Sequence, residues 1–272
     1  MELERAAQSR IRSVQATSDY ISDAMPLSKS TATPDTWIQQ PTDAGRSVTN
    51  TPRVAAFFDL DGTLADSNAV RSFLWLALAE RGRLGRVLAL ARLAVPLGVC
   101  ILADRLSRRL FNRMFYRLYR ALPPERVRRL ALPCCEATIA SRIFPDMAAR
   151  VEAHRAQGED VVIVTGALDV LVAPLAERLG AAAVAATTLE ERDGRFTGRP
   201  LRDAVRDGKD AALREIAAAR GYDLPGCAAY ADHASDLPFL LAVGRPVAAR
   251  PDHRLRHEAQ TRGWPVIEDA PR

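Results

Sequence analysis

The sequence predicts an α/β protein: a parallel sheet with helices on both faces and an all-helical insertion near its start. Three observations carry this. Short apolar, β-branched runs alternate with helical patterns over 145–272; the first apolar run, near residue 54, ends in two carboxylates; and 67–144 contains no convincing strand. Strands alternating with helices imply right-handed βαβ units and a sheet covered on both sides. The chain has 272 residues, 48% hydrophobic and 26% charged. That is ordinary for a globular protein and enough for one well-cored domain carrying a smaller inserted one.

In chain order, 1–52 comes first. Over 28–52 it is rich in Ser, Thr, Asp and Pro. Such a stretch buries too little surface to offset its ordering entropy, so 1–52 is expected as a flexible tail. From Met1 to about Thr51 there is no apolar run followed by a cleavage site, which argues against a secretory leader. The four cysteines, Cys100, Cys134, Cys135 and Cys227, lack metal-ligand spacing. They read as reduced packing residues of a cytoplasmic protein.

Val54-Ala-Ala-Phe-Phe-Asp-Leu-Asp61 reads as a buried strand that ends in two acids. Further strands are expected at Val161–Thr165, Ala181–Thr188, Cys227–Tyr230 and Pro246–Ala249, with helices over Pro145–Gln157, Leu168–Leu179, Lys209–Arg220 and Ser235–Val243. Asp193-Gly194, between Thr188–Arg192 and Arg195–Gly198, signals a hairpin that leaves the main sheet. The core is therefore expected over 53–66 and 145–272, with 67–144 as a helical cap over the strand ends.

The cap segment is basic. From Ser67 to Arg142 there are 15 Arg and 4 acidic residues, while the whole chain is only +5. Over Arg105–Arg120, Leu106, Leu110, Met114 and Leu118 recur every fourth position beside Arg108, Arg109, Arg113 and Arg117. That predicts an apolar stripe with a basic flank. Leu93–Ala103 is an apolar run broken by Pro96, short of the roughly 20 residues that span a bilayer. It reads as a buried cap helix or, alternatively, as a contact for a membrane surface or an acyl chain.

Asp59-Leu-Asp-Gly-Thr63 stands where an α/β protein sets its site, at the carboxyl end of a strand. Acids two apart on an extended strand point the same way. Burying both is costly unless a cation lies between them or one is protonated, and a hard, oxygen-seeking ion such as Mg²⁺ answers that need. Gly62 permits a sharp turn, and Thr63 can bond the loop that follows. Thr165 and Gly166 end a second strand before a helix start, where a hydroxyl and backbone N–H groups suit phosphate oxygens. Lys209 and Lys29 are the chain's only lysines. At a helix start, Lys209 supplies a compact ammonium for a phosphate or an aspartate. Asp232 and Asp236, four apart between a strand and a helix, offer further metal oxygens, although Asp236 also suits an N-cap. His233, between them, is not needed as a base, because Asp61 can supply that role.

These four elements, in this order, resemble the haloacid dehalogenase-like superfamily of phosphohydrolases, and more narrowly its phosphoserine-phosphatase-like branch, subfamily IB. The resemblance runs from about Arg53 to Ile267. It implies a Rossmann-like core, with Asp59 as nucleophile forming an aspartyl-phosphate and Asp61 as general acid/base. It further implies that Thr165, Gly166 and Lys209 hold the phosphoryl group. Mg²⁺ would be held by Asp59, the backbone carbonyl of Asp61, Asp232 and Asp236. An acid at position 61 favours hydrolysis over a stored phosphoenzyme, since transport ATPases of this superfamily carry Thr there.

Two departures stand out. Motif four usually begins Gly-Asp-Ser and here reads Ala231-Asp232-His233. Phosphoserine phosphatases carry a glutamate nine residues after the nucleophile; here Asn68 takes that place and argues against that substrate. The expectation is a Mg²⁺-dependent phosphomonoester hydrolase acting on a small phosphorylated metabolite. One alternative is a phosphatase of a phosphorylated lipid at an anionic membrane reached through the basic cap. Others are a phosphotransferase or a non-catalytic phospho-ligand-binding regulator. No nucleic-acid-binding module is recognisable.

Overall fold

The structure, a computed structural model, describes residues 52–203 and 208–268, with the backbone alone at 104–106 and 108–109. Apart from Pro52, the tail expected over 1–52 lies outside the described residues, as does Lys29.

One strand organises the core. β1 (Ala55–Phe58) sits at the centre of a seven-stranded sheet. Beside it run β2 (Asp160–Leu168), then β3 (Ala183–Arg192) and β4 (Arg195–Arg202). On its other side lie β5 (Ala228–Ala231), β6 (Arg245–Ala249) and β7 (Val266–Ile267). All neighbours are parallel except β3 and β4, the pair joined at Asp193-Gly194. Strand periodicity explains the two-sided burial. Ala56, Phe58, Val161 and Ile163 face one core, while Ala55, Phe57, Val162 and Val164 face the other.

Helices close both faces. In chain order these are α1 (Ala69–Leu78), α2 (Arg83–Leu106), α3 (Arg108–Phe115), α4 (Pro124–Arg129) and α5 (Ala131–Thr138), all between β1 and β2. They are followed by α6 (Pro145–Ala156), α7 (Asp169–Arg178), α8 (Lys209–Arg220), α9 (Leu237–Leu240) and α10 (His253–Arg262). Met147 and Val151 of α6 and Val172 and Leu175 of α7 cover one face; Leu213 and Ile216 of α8 and Leu255 of α10 cover the other.

The expected elements are present, with altered limits. β1 stops at Phe58, so the two acids lie in the turn beyond the strand rather than on it. β2 continues to Leu168 with a register shift after Val164. The helix expected over Ser235–Val243 is a 3₁₀ turn, Ala234–Asp236, running into the four-residue α9. Sequence reasoning missed β7 and α10; α10 is strongly polar, with only Leu255 and Ala259 buried.

The helices between β1 and β2 build a third core around Phe73, Phe115, Tyr116, Tyr119 and Cys134. It takes in Leu168 and Leu171 near α7 and Leu189 and Phe196 of the β3–β4 hairpin. The hairpin, which forms the antiparallel edge of the sheet, packs there: a Cβ at Gly198 would lie 2.7 Å from Arg117 Cα.

Two expectations for this segment are corrected. The buried stripe is Phe111, Phe115 and Tyr119, whereas Leu110 is exposed and Met114 and Leu118 are half-buried; the Leu106 side chain lies outside the described residues. Both sets share a four-residue period, and the larger aromatic surfaces win the interior. The helix also breaks at Ser107 and tightens to 3₁₀ over Tyr116–Ala121. The run Leu93–Ala103 is not a buried helix of its own. It forms the second half of the 24-residue α2, with Leu97, Cys100 and Ala103 buried but Val95, Val99, Ile101 and Leu102 exposed.

Candidate active site

Register brings the chemistry to one edge. Phe58 lies opposite both Ile163 and Tyr230, so Asp59 and Asp232, just past the carboxyl ends of β1 and β5, come level with Thr165, which lies at the register shift within β2. Asp59 is buried; its N–H donates to Tyr230 O at 3.0 Å, tying the turn to β5. Beneath it the Phe58 and Tyr230 rings stack with centroids 4.6 Å apart.

The turn after β1 needs Gly62 for two reasons. Its φ is +84°, and an added Cβ would lie 2.2 Å from Asp232 Oδ2. Thr63, fully buried, reaches from this turn to the acids, with Oγ1 3.4 Å from Asp59 Oδ2 and 3.3 Å from Asp232 Oδ1.

Lys209 opens α8 and extends its ammonium into the acidic group, 2.7 Å from Asp59 Oδ1 and 2.6 Å from Asp236 Oδ2. Burial works against its charge, but Asp236 and Asp59 outweigh that and hold its pKa above the ordinary lysine value. Asp236 makes no side-chain cap bond to α9, so its carboxylate serves the cluster rather than the helix start.

Asp59, Asp232 and Asp236 each offer an oxygen, all within 4.8 Å of one another. Burial and the Asp59 charge push Asp232 up to about 7, against the pull of Lys209. Asp236 is raised as well, chiefly by burial. Three acids, Asp59 and Asp236 buried and Asp232 half-buried, with one ammonium between them are short of positive charge. An all-oxygen donor set of this kind fits a hard divalent cation such as Mg²⁺.

Asp61 is not one of those three carboxylates. Its Oδ1 accepts from Ser67 Oγ at 2.5 Å, and its charge reaches the buried Tyr119 of the inserted helices. The two acids of the turn thus face different surroundings. Thr165 is buried, and its Oγ1 accepts the Ala167 N–H at 3.1 Å. The Gly166 carbonyl accepts from Tyr116 Oη at 3.1 Å, and that hydroxyl also lies 3.0 Å from Thr187 Oγ1.

Asn68 is an exposed N-cap, its Oδ1 accepting the Arg71 N–H at 2.8 Å. His233 is exposed too, accepting the Ser235 N–H and lying 3.3 Å from Asp252.

Sequence reasoning missed Ser67, Tyr116 and Asp252. Asp252 takes the Ala234 N–H at 3.0 Å and donates its own N–H to Asp232 O at 2.8 Å, pinning the loop that carries Asp232. Its place one residue before a helix was a legible capping signal. Ser67 and Tyr116 carried none, because only the folded chain brings them to the site.

Comparison with known proteins bears on the family and the fold. The family model described as haloacid dehalogenase-like hydrolase matches residues 56–241. The Streptomyces azureus inhibition of morphological differentiation protein is 37% identical over 220 residues, covering 80% of this chain and 79% of that one. A Mycobacterium tuberculosis protein named a probable phosphatase is 34% identical over 222 residues, covering 79% and 75%. A solved structure, a phospho-aspartyl intermediate analogue of phosphoserine phosphatase, superposes with a TM-score of 0.59 at 19% identity, covering 81% and 95%. At that identity the likeness speaks for the fold alone.

Proposed function

Because the chain belongs to the haloacid dehalogenase-like hydrolase family, as a phosphatase of its phosphoserine-phosphatase-like branch, we propose that it is a Mg²⁺-dependent phosphomonoester hydrolase acting through an aspartyl-phosphate on a small phosphorylated metabolite. One observation carries the reading. Asp59 is buried at a strand end, neutralised by Lys209, and grouped with two further acids.

Asp59 attacks phosphorus, and the bond to the leaving oxygen breaks as Asp61 protonates it. Asp61 then takes a proton from the water that cleaves the acyl phosphate and regenerates Asp59. The different surroundings of the two acids suit these separate tasks. Lys209 balances charge on Asp59 and on the transferring group. The Thr165 hydroxyl, whose oxygen already accepts a backbone N–H, keeps its proton for a phosphoryl oxygen, beside Gly166. Asp59, Asp232, Asp236 and the Asp61 carbonyl would hold Mg²⁺, which when bound screens the carboxylates from the incoming phosphate.

Residues 67–144 act as a cap over a core of 53–66 and 145–268. Tyr116 supports this, since it reaches from the insertion to the Gly166 carbonyl. The buried, unpaired cysteines suit a reducing compartment, and we assign the protein to the cytoplasm. The exposed Asn68 leaves substrate choice to other cap residues, in a phosphatase with no glutamate at that position.

With Mg²⁺, para-nitrophenyl phosphate is turned over, and Asp59→Asn lowers the rate by about three orders of magnitude or more. Full activity in the Asn variant would refute the mechanism.

A further inference from the structure

Helix α2 is apolar nearly all round. Leu97 and Cys100 are buried against the inserted helices, with Leu93 half-buried. On the opposite side Leu84, Leu88, Val95, Val99 and Leu102 share one stripe at helical spacing, and each is exposed; Leu84 and Val95 reach 73% and 74%. At 1.5 Å per residue the stripe runs about 27 Å. Folded chains rarely leave so long an apolar face to water.

We propose that this face of α2 docks the protein, lying in plane, on a membrane surface that contains anionic lipid. Arg83–Ala103 is long and apolar enough to cross a membrane, and only Leu97, Cys100 and Ala103 of it are buried. Its ends decide against crossing. α2 follows four residues after α1 and passes at Ser107 into α3; Phe73 of α1 meets Phe115 of α3 edge-on, with centroids 5.7 Å apart. A helix returned at both ends to one packed core lies along a bilayer, its apolar side in the acyl boundary.

Charge identifies the surface. Arg92 borders the stripe, Arg83 and Arg86 fall on the far side of the helix, and Arg113, Arg117 and Arg120 follow it, all exposed. Between Arg81 and Arg120 the sequence holds one acidic residue, Asp104. Arg92 beside the stripe, and the exposed arginines that follow α2, suit anionic headgroups. A second copy of this chain on the same face would set arginine against arginine.

The test is sedimentation of the full chain, residues 1–51 included, with vesicles of phosphatidylcholine and phosphatidylglycerol in equal parts, and with pure phosphatidylcholine. The chain sediments with the mixed vesicles and about tenfold less with the pure ones. Leu88→Asp with Val95→Asp lowers binding about tenfold while melting temperature and para-nitrophenyl phosphate turnover stay at wild-type values. If the aspartates lower the melting temperature, Leu88→Gln with Val95→Gln is read instead and shows the same loss. Asp59→Asn binds vesicles like wild type, which separates docking from the catalytic reading. The proposal is overturned if the chain stays in the supernatant with mixed vesicles or if the paired variant binds as wild type does. A solution dimer that the paired variant abolishes would overturn it too, by assigning the face to a second copy.

Discussion

The Lys209 ammonium stands 2.7 Å from the carboxylate of Asp59, the residue proposed to attack phosphorus. It also meets Asp236 at 2.6 Å, so one cation ties a nucleophile to a metal-type acid. In a buried site such a charge supports the nucleophile's position and offsets phosphoryl charge at once.

Lys209→Met is expected to lower turnover of para-nitrophenyl phosphate by roughly 10²–10³-fold. Lys209→Arg restores little, since a planar guanidinium does not fill the place of a compact ammonium between two acids. The loss of balancing charge also lowers the melting temperature of the Met variant in chelator, and millimolar Mg²⁺ recovers most of it. Near-wild-type activity in either variant would remove Lys209 from the mechanism.

Asp232 makes the stability pH-dependent in a direction unusual for an aspartate. Its folded pKa of about 7 lies above the ordinary value near 3.9. Between about pH 4 and pH 7 the metal-free folded protein therefore binds more protons than the unfolded chain. Its contribution to stability is complete below pH 4 and is lost as the pH rises through about 7. Divalent cation needs the ionised form, so stabilisation by Mg²⁺ grows over the same range. Melting curves from pH 5 to 8, with chelator and with Mg²⁺, check this against Asp232→Asn. The Asn variant has lost both slopes. Equal slopes in the two proteins would place the titration elsewhere.

Gly62→Ala tests the close approach of the two site turns. A Cβ at that point meets Asp232 Oδ2 at 2.2 Å, on a backbone with φ of +84°. The variant is expected to lose about 1–3 kcal/mol of stability. Activity falls at least tenfold, because the displaced group is itself a site carboxylate. Chemical denaturation and the Mg²⁺ concentration for half-maximal activity read the two effects separately. An Ala variant with unchanged Mg²⁺ dependence would show that the turn yields without moving Asp232.

Most of the core was legible because its signals are local. Val54–Phe58 and Val161–Val164 are apolar on both strand faces, which suits only a central parallel strand. Asp193-Gly194 forms its hairpin with positive φ at both residues. Short polar elements such as α10 and the two-residue β7 escaped, since little in their composition distinguishes them from loop.

The inserted helices were legible only in kind. Leu110, Met114 and Leu118 repeat with the same period as Phe111, Phe115 and Tyr119, and period alone does not choose between adjacent stripes. Leu93–Ala103 was apolar enough for burial, yet most of the exposed large apolar side chains among the described residues lie on the helix that carries it. Apolarity states a preference; exposure depends on what the rest of the chain leaves available as cover.

By itself, then, the sequence determined the α/β class, the order of the main strands along the chain and the residues proposed to do the chemistry: Asp59, Asp61, Thr165, Lys209, Asp232 and Asp236. The tertiary structure decided how those residues divide. Asp59, Asp232 and Asp236 converge with Lys209, Asp61 turns to Ser67, Asp252 pins a loop, and α2 keeps one apolar face uncovered. The reason is physical. Strand and helix propensities act over a few neighbouring residues, whereas a buried charge cluster and the cover over a helix face are made by segments that meet only when the sheet has closed.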